Sequence, residues 1–156
     1  MDGKTPKESK SEMIQQVLPG DANHHGTVFG GKVLQWIDVA AAVSAMRHAQ
    51  KPVVTASVDR VDFIAPGRIG DIMVLRSWVN YTGRSSIEVG VEVHSEDILT
   101  GKRVLTTEAL VTFVAIDDKG RPIAVVPLIP ETEDEKKRFE EGRRRHEERR
   151  RERKKR

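Results

Sequence analysis

Between Pro52 and Asp117 the chain alternates apolar and polar positions in four stretches, and ahead of them one longer stretch repeats its apolar residues at three- and four-residue intervals. The four are "PVVTASVDRVDFIAP", "GDIMVLRSWVNYTG", "SSIEVGVEVHSE" and "GKRVLTTEALVTFVAID". In the third, Ile87, Val89, Val91 and Val93 share one face while Glu88, Glu92 and His94 take the other, the two-residue period of a strand. Turn residues bound each stretch, at Pro66-Gly67, Thr82-Gly83, Thr100-Gly101 and Asp118-Lys119-Gly120, and no helical pattern intervenes. A shorter strand candidate, "SEMIQQVL", comes first.

The helical pattern runs from about Gly31 to Ala49. Val33, Leu34, Ile37, Ala41, Ala45 and His48 follow its period, and Ala40 and Val43 widen the apolar face until little of the helix is polar. Its five alanines between Ala40 and Ala49 are small enough to admit close packing. Sequential strands joined by short loops predict an antiparallel sheet, and one long apolar helix ahead of them predicts that the sheet curls around it. With no internal repeat, the fold class is α+β in a single unit.

Charge changes the picture at the C-terminus. Residues 131–156 hold 13 of the 27 Lys and Arg and 9 of the 24 Asp and Glu, leaving residues 1–130 near neutral with 14 basic and 15 acidic groups. The segment has one aromatic, Phe139, and no apolar stripe, so it reads as an appendage: a frayed helix interrupted by Gly142, or a disordered tail. The division is thus a flexible N-terminus over 1–11, a folded unit over 12–130 and a charged tail over 131–156. "MDGKTPKESKSE" has no apolar core of a leader, and no stretch approaches the roughly 18 apolar residues of a membrane span, so a cytoplasmic protein is expected. Without cysteine, any catalysis must use oxygen or nitrogen groups.

Candidate chemistry gathers at "GDANHHGTVFGG" and the helix after it. Asp38 is a lone acid among alanines and valines. It needs a partner or a cleft to offset its desolvation, or else it points to solvent along a narrow stripe with Gln35. Gly30 and Gly31, at the helix start, let backbone N–H groups approach a ligand with no Cβ in the way, although a tight turn would use the same residues. Gly31 and Asp38 share a face but lie roughly 10 Å apart along a helix, too far to serve one reacting centre together. Asp38 of one subunit meeting the glycine turn of another would satisfy both. Asn23 suits an Asx-turn or an orienting amide. His24 and His25 lack a third ligand at helix or hairpin spacing, so no metal is expected.

The run "PGDANHHGTVFGGKVLQWIDVAAAVSA", followed by "SVDRVDFIAPGRIGD" and "VNYTGRSSIEVGVEV", resembles the hotdog-fold acyl-CoA thioesterases over about residues 12–120. That group includes bacterial broad-range acyl-CoA hydrolases and the cytosolic acyl-CoA hydrolases of animals. The resemblance implies a curled antiparallel sheet around a central helix. It implies catalytic roles for Asn23 and Asp38, supplied to one site by facing subunits, with the N–H of Gly31 or its neighbour holding an oxyanion. It further implies coenzyme A recognition at Gly83, Arg84, Ser85 and Ser86, no cofactor beyond the coenzyme A of the substrate itself, and a hexamer built as a trimer of dimers.

Two other readings compete. A non-catalytic hotdog sensor of acyl-CoA or a nucleotide would use the basic tail on nucleic acid or an acidic partner. The tail lacks aromatics interleaved for base stacking, so sequence-specific RNA binding is not expected. Truncation at Pro130 should spare a hydrolase. Dehydration of a hydroxyacyl thioester would need a placed His and acid, and His24, His25 and His48 do not show that spacing.

Overall fold

The computed structural model describes residues 2–155. Its elements are β1 (Ser11–Gln16), α1 (Gly30–Ala49), β2 (Val53–Phe63), β3 (Ile72–Thr82), β4 (Ser86–Glu96), β5 (Arg103–Ala115) and α2 (Glu133–Lys154). All five strands pair antiparallel in one sheet ordered β1-β3-β4-β5-β2. The first two strands in sequence are therefore the two edges, and α1, which joins them, crosses one whole face of the sheet. This is the hotdog arrangement.

The predicted strands are all found, each within a few residues of its expected bounds, because the apolar alternation and the turn residues agree. Ile87, Val89, Val91 and Val93 of β4 are almost fully buried against α1. They meet Val33, Ile37, Ala40, Ala41 and Ala45 of the helix in a single core closed by Met73, Leu75 and Phe113. The small residues of α1 let backbone and sheet touch: Ser77 on β3 donates to the Ala40 carbonyl at 2.9 Å, and the Ser44 and Ser77 hydroxyls are 2.6 Å apart. Leu34, expected in the core, is instead 38% exposed, and Trp36 takes its place. Leu34 lies one turn before Asp38, on the flank of α1 beside β2, where the chain itself supplies no cover.

Two parts of the expected organisation differ. The segment 2–11 makes defined contacts: Lys4 bridges Leu128, Pro6–Glu8 form a 3-10 turn, and Ser9 is fully buried. The C-terminal segment is neither frayed nor loose. α2 starts at a capping box, in which Thr132 Oγ1 accepts from the Glu135 N–H at 3.1 Å and the Glu135 carboxylate accepts from the Thr132 N–H at 3.1 Å. It then lies along the outer face of the sheet. Phe139 meets the Tyr81 ring edge-on at 5.0 Å, and Gly142 is buried against Tyr81 and Glu88. The Arg145 guanidinium donates to both Glu88 oxygens at 2.6 and 2.9 Å, and Arg149 pairs with Asp59 at 2.7 Å. Charge on the sheet's outer face therefore does the docking that an apolar stripe usually does. Among the described residues no helix is long and apolar enough to cross a membrane.

Candidate active site

The loop before α1 is folded around Asn23. Its side-chain oxygen accepts from the His25 N–H at 2.9 Å and the Thr27 N–H at 3.3 Å, an Asx-turn, while its amide donates to Thr27 Oγ1 at 2.9 Å. Gly26 closes the turn at φ +80°, a left-handed conformation that glycine adopts freely. The chain doubles back so that the Phe29 N–H reaches the Asp21 carbonyl at 2.8 Å, and the helix begins at the next residue. The exposed Phe29 ring lies over Gly31, where a Cβ would come within 2.7 Å of a ring carbon. Phe29 caps the helix with its carbonyl alone, and the N–H groups of Gly30 and Gly31 have no backbone acceptor among the described residues. An oxyanion is a suitable occupant for such donors.

Asp38 lies two turns further along, half-buried, where α1 faces the edge strand. Its Oδ1 accepts from Thr55 Oγ1 of β2 at 2.8 Å. Thr55 was not anticipated from the sequence, since strands are rich in threonine and nothing in "PVVTASVD" marks one of them out. Within the chain no hydrogen bond joins Asn23 to Asp38: the amide is closed on Thr27 and the carboxylate on Thr55. Among the described residues β2 has no strand partner on its outer edge.

Beside the helix start a cleft of about 340 Å³ runs between α1 and the β2–β3 connection, lined chiefly by Val28, Val33, Phe63, Ile64 and Met73. Its apolar walls meet Gly30, so a hydrophobic chain lying in it would end at the free N–H groups. A larger cleft, about 460 Å³, lies under the N-terminal segment near Trp78 and Arg138 and holds none of the anticipated site residues.

The other candidates fall apart from this centre. Gly83, Arg84, Ser85 and Ser86 form the β3–β4 turn, pinned by the Gly83 N–H on the Ser86 carbonyl at 2.9 Å. His24 and His25 sit side by side on the exposed loop, 3.9 Å between ring centroids with their planes tilted by 41°. His48 is fully buried, its Nε2 2.8 Å from the Val126 carbonyl, and burial holds its pKa below the usual histidine range. A buried neutral imidazole bonded to the backbone is structural, which removes it from any acid–base role.

A family model described as the thioesterase superfamily matches residues 25–102, a span that includes Asp38, Thr55 and the 83–86 turn. The uncharacterised acyl-CoA thioester hydrolase YkhA of Bacillus subtilis is 46% identical over 129 residues, 83% of this chain and 75% of its own length. An apo-hexameric acyl-CoA thioesterase of known structure is 46% identical with a TM-score of 0.92, covering 97% of each chain. An acyl-CoA hydrolase from Staphylococcus aureus, solved with butyryl coenzyme A and coenzyme A, is 43% identical with a TM-score of 0.88, over 96% of this chain and 92% of that one. Variants of the S. aureus hydrolase that replace an Asn, an Asp and a Thr by Ala have also been solved, and the three residues are spaced along that chain as Asn23, Asp38 and Thr55 are along this one. The chain spans only about a third of the cytosolic acyl coenzyme A thioester hydrolase of the rat, at 38% identity. By the match over half its residues and by 46% identity to a relative across most of its length, the chain belongs to the thioesterase superfamily.

Proposed function

We propose that this protein hydrolyses acyl-CoA thioesters to a carboxylic acid and coenzyme A, in sites shared between subunits. The observation that carries the reading is the position of Asp38: a carboxylate oriented by Thr55, on an apolar helix flank, beside an unpaired sheet edge. The helix N-terminus that could hold an oxyanion is seven residues away, roughly 10 Å in the same chain, so a second chain must complete the site. Asn23 and Gly31 of the facing subunit are its natural complement.

The acyl chain lies in the cleft bounded by Phe63 and Met73, with its carbonyl at the Gly30–Gly31 amides. Either Asp38 takes a proton from water as the water oxygen attacks the thioester carbon, and the C–S bond then breaks to release the acid and the coenzyme A thiolate, or Asp38 attacks that carbon itself, the C–S bond breaks to leave a mixed anhydride on Asp38, and water then hydrolyses the anhydride to the free acid. Asn23 orients the water or the thioester. No cofactor or metal is required beyond the coenzyme A that enters with the substrate. Assembly as a hexamer of three dimers and a cytoplasmic setting complete the proposal, supported by the hexameric relative and by the cytosolic hydrolases of mammals.

The test is thiol release from a panel of acyl-CoA thioesters of different chain length; the cysteine-free protein adds no thiol background. Asp38→Asn and Asn23→Ala should each lower turnover by about 10²-fold or more, the usual size of a lost acid–base or positioning group, while the oligomer survives. Turnover unchanged in both would remove the mechanism.

A further inference from the structure

The cleft of about 340 Å³ beside the helix start has an open rim and a closed end. At its rim Phe63 and Ile64 are 56% and 55% exposed, whereas Val33, Met73, Thr106 and Thr107 are exposed by 2% or less. An apolar chain that enters past Gly30 therefore ends against these four side chains. Three of them are fixed. Val33 is β-branched on a helix and keeps one rotamer. Thr106 donates its hydroxyl to the Val93 carbonyl at 2.9 Å, and Thr107 is β-branched on β5, paired with both Phe63 and Val93. Met73 alone is unbranched, with a thioether tip that swings about three rotatable bonds.

That tip rests on Gly67 of the β2–β3 connection. The Gly67 carbonyl accepts from the Val28 N–H at 2.8 Å, which pins the backbone there. A Cβ added to Gly67 would lie 2.8 Å from Met73 Sδ and 2.9 Å from Met73 Cε. The thioether thus fills the notch that the missing side chain leaves, and the end of the cleft is drawn back with it. Gly67 is not one of the left-handed glycines, which are Gly26, Gly70, Gly101 and Gly120, so the notch and not the backbone conformation is what glycine supplies.

We propose that Met73 is the stop that sets how far an acyl chain enters, with Gly67 as the positioning residue that holds the stop back. The inference rests on the acyl-CoA reading above and adds what the site measures, the length of a straight alkyl chain. Each methylene that enters the cleft gains by leaving water until the chain meets the tip. Carbons beyond that point stay in water or overpack the core. A methionine yields where a branched side chain would not, so the limit is soft and a range of lengths is accepted below it.

The experiment is calorimetric titration of the assembled full chain with a series of S-alkyl coenzyme A thioethers, which carry the alkyl chain but lack the carbonyl that hydrolysis needs. Wild-type affinity should rise by about fourfold per added methylene, the usual gain for burying one, and then level off. Met73→Val removes Sδ and Cε, so the levelling should come one or more carbons later. Gly67→Ala pushes the thioether tip into the cleft, a shift that a flexible side chain permits, so the levelling should come one or more carbons earlier. In the Gly67→Ala/Met73→Val double variant the new methyl group has no tip to displace, and the break should fall where it does in Met73→Val. Ratios of affinity along one series do not depend on how much of a variant is folded, so lost stability does not imitate these shifts. A wild type without a break, single variants that leave it in place, or single variants that move it in the same direction would overturn the proposal. Thiol release from the matching thioesters is read separately. Breaks that move as described in a chain that hydrolyses no thioester keep the stop and overturn the hydrolase reading alone, whereas hydrolysis with an unmoved break keeps the hydrolase reading and overturns the stop.

Discussion

Asp38 is legible in the sequence because a carboxylate is out of place on an apolar helix, but what holds it is not. Thr55 comes from a strand seventeen residues later, and only the pairing of β2 beside α1 brings the two together. The hydroxyl holds one carboxylate oxygen and leaves the other without a hydrogen bond among the described residues. Thr55→Val keeps the shape and removes that bond. It should lower kcat by about tenfold, the cost of roughly one net hydrogen bond at a reacting group, with KM little changed; steady-state kinetics on one acyl-CoA would show it, and a normal kcat would leave Thr55 without a role. His48, which follows the apolar period of the helix in the sequence, is a core residue in the structure. Its folded pKa is depressed below the ordinary 6.5 by burial, so the unfolded chain binds a proton first as pH falls. Stability is therefore full above that value and is lost as pH drops from it toward the lower folded pKa. His146, depressed by burial and by its arginine neighbours, acts in the same window. The melting temperature should fall as pH drops through and below the ordinary histidine value of 6.5, and His48→Gln, which can still donate to the Val126 carbonyl, should flatten that fall.

At the scale of elements, the five strands and α1 were readable because each carries its own period and its own turn residues. α2 was not, because its contacts are with the outer face of a sheet, and the periodicity of a charged helix says nothing about an acidic groove waiting for it. One local signal was present: "TEDE" is a capping box and announces a helix start at Glu133. Gly142, which reads as a helix breaker, is where α2 touches the sheet most closely. A Cβ there would lie 2.7 Å from Tyr81 Cβ and 2.7 Å from Glu88 Oε2. Alanine would add about 1 kcal/mol of helix propensity, but the tyrosine Cβ cannot swing aside and the carboxylate is held by Arg145. Overpacking of this kind costs about 1–3 kcal/mol, so it outweighs the gain. Gly142→Ala should lower the melting temperature by a few degrees and expose α2 to limited proteolysis. Truncation at Pro130, expected from the sequence to spare a hydrolase's activity, should lower stability more, since it strips the partner from Glu88, which is 5% exposed.

At the scale of the whole molecule, β2 is an open edge of the sheet among the described residues. An eleven-residue edge strand with Val54 and Val58 about half exposed, flanked by exposed Leu34, Val39 and Phe63, is an aggregation hazard in an isolated chain and an interface in an assembled one. The same edge borders Asp38, so closing it against a second copy would both bury the apolar side chains and bring a foreign Asn23 and Gly31 toward the carboxylate. The proposed link between assembly and catalysis was visible in the sequence only as the distance of roughly 10 Å between Gly31 and Asp38 along one helix, and the open edge of β2 is where a second copy would supply the missing groups. A charge placed at the centre of the edge separates the two consequences. Val58→Lys puts an ammonium where a partner strand would pack, while its own chain, in which Val58 is already 50% exposed, loses little. Light scattering should show a smaller assembly than the wild type, the melting of the chain should stay cooperative, and hydrolysis should fall in proportion to the oligomer lost, returning at high protein concentration. If the assembly shrinks while turnover per chain holds, each subunit carries a whole site, and the donors to the oxyanion must be sought within reach of Asp38 in its own chain.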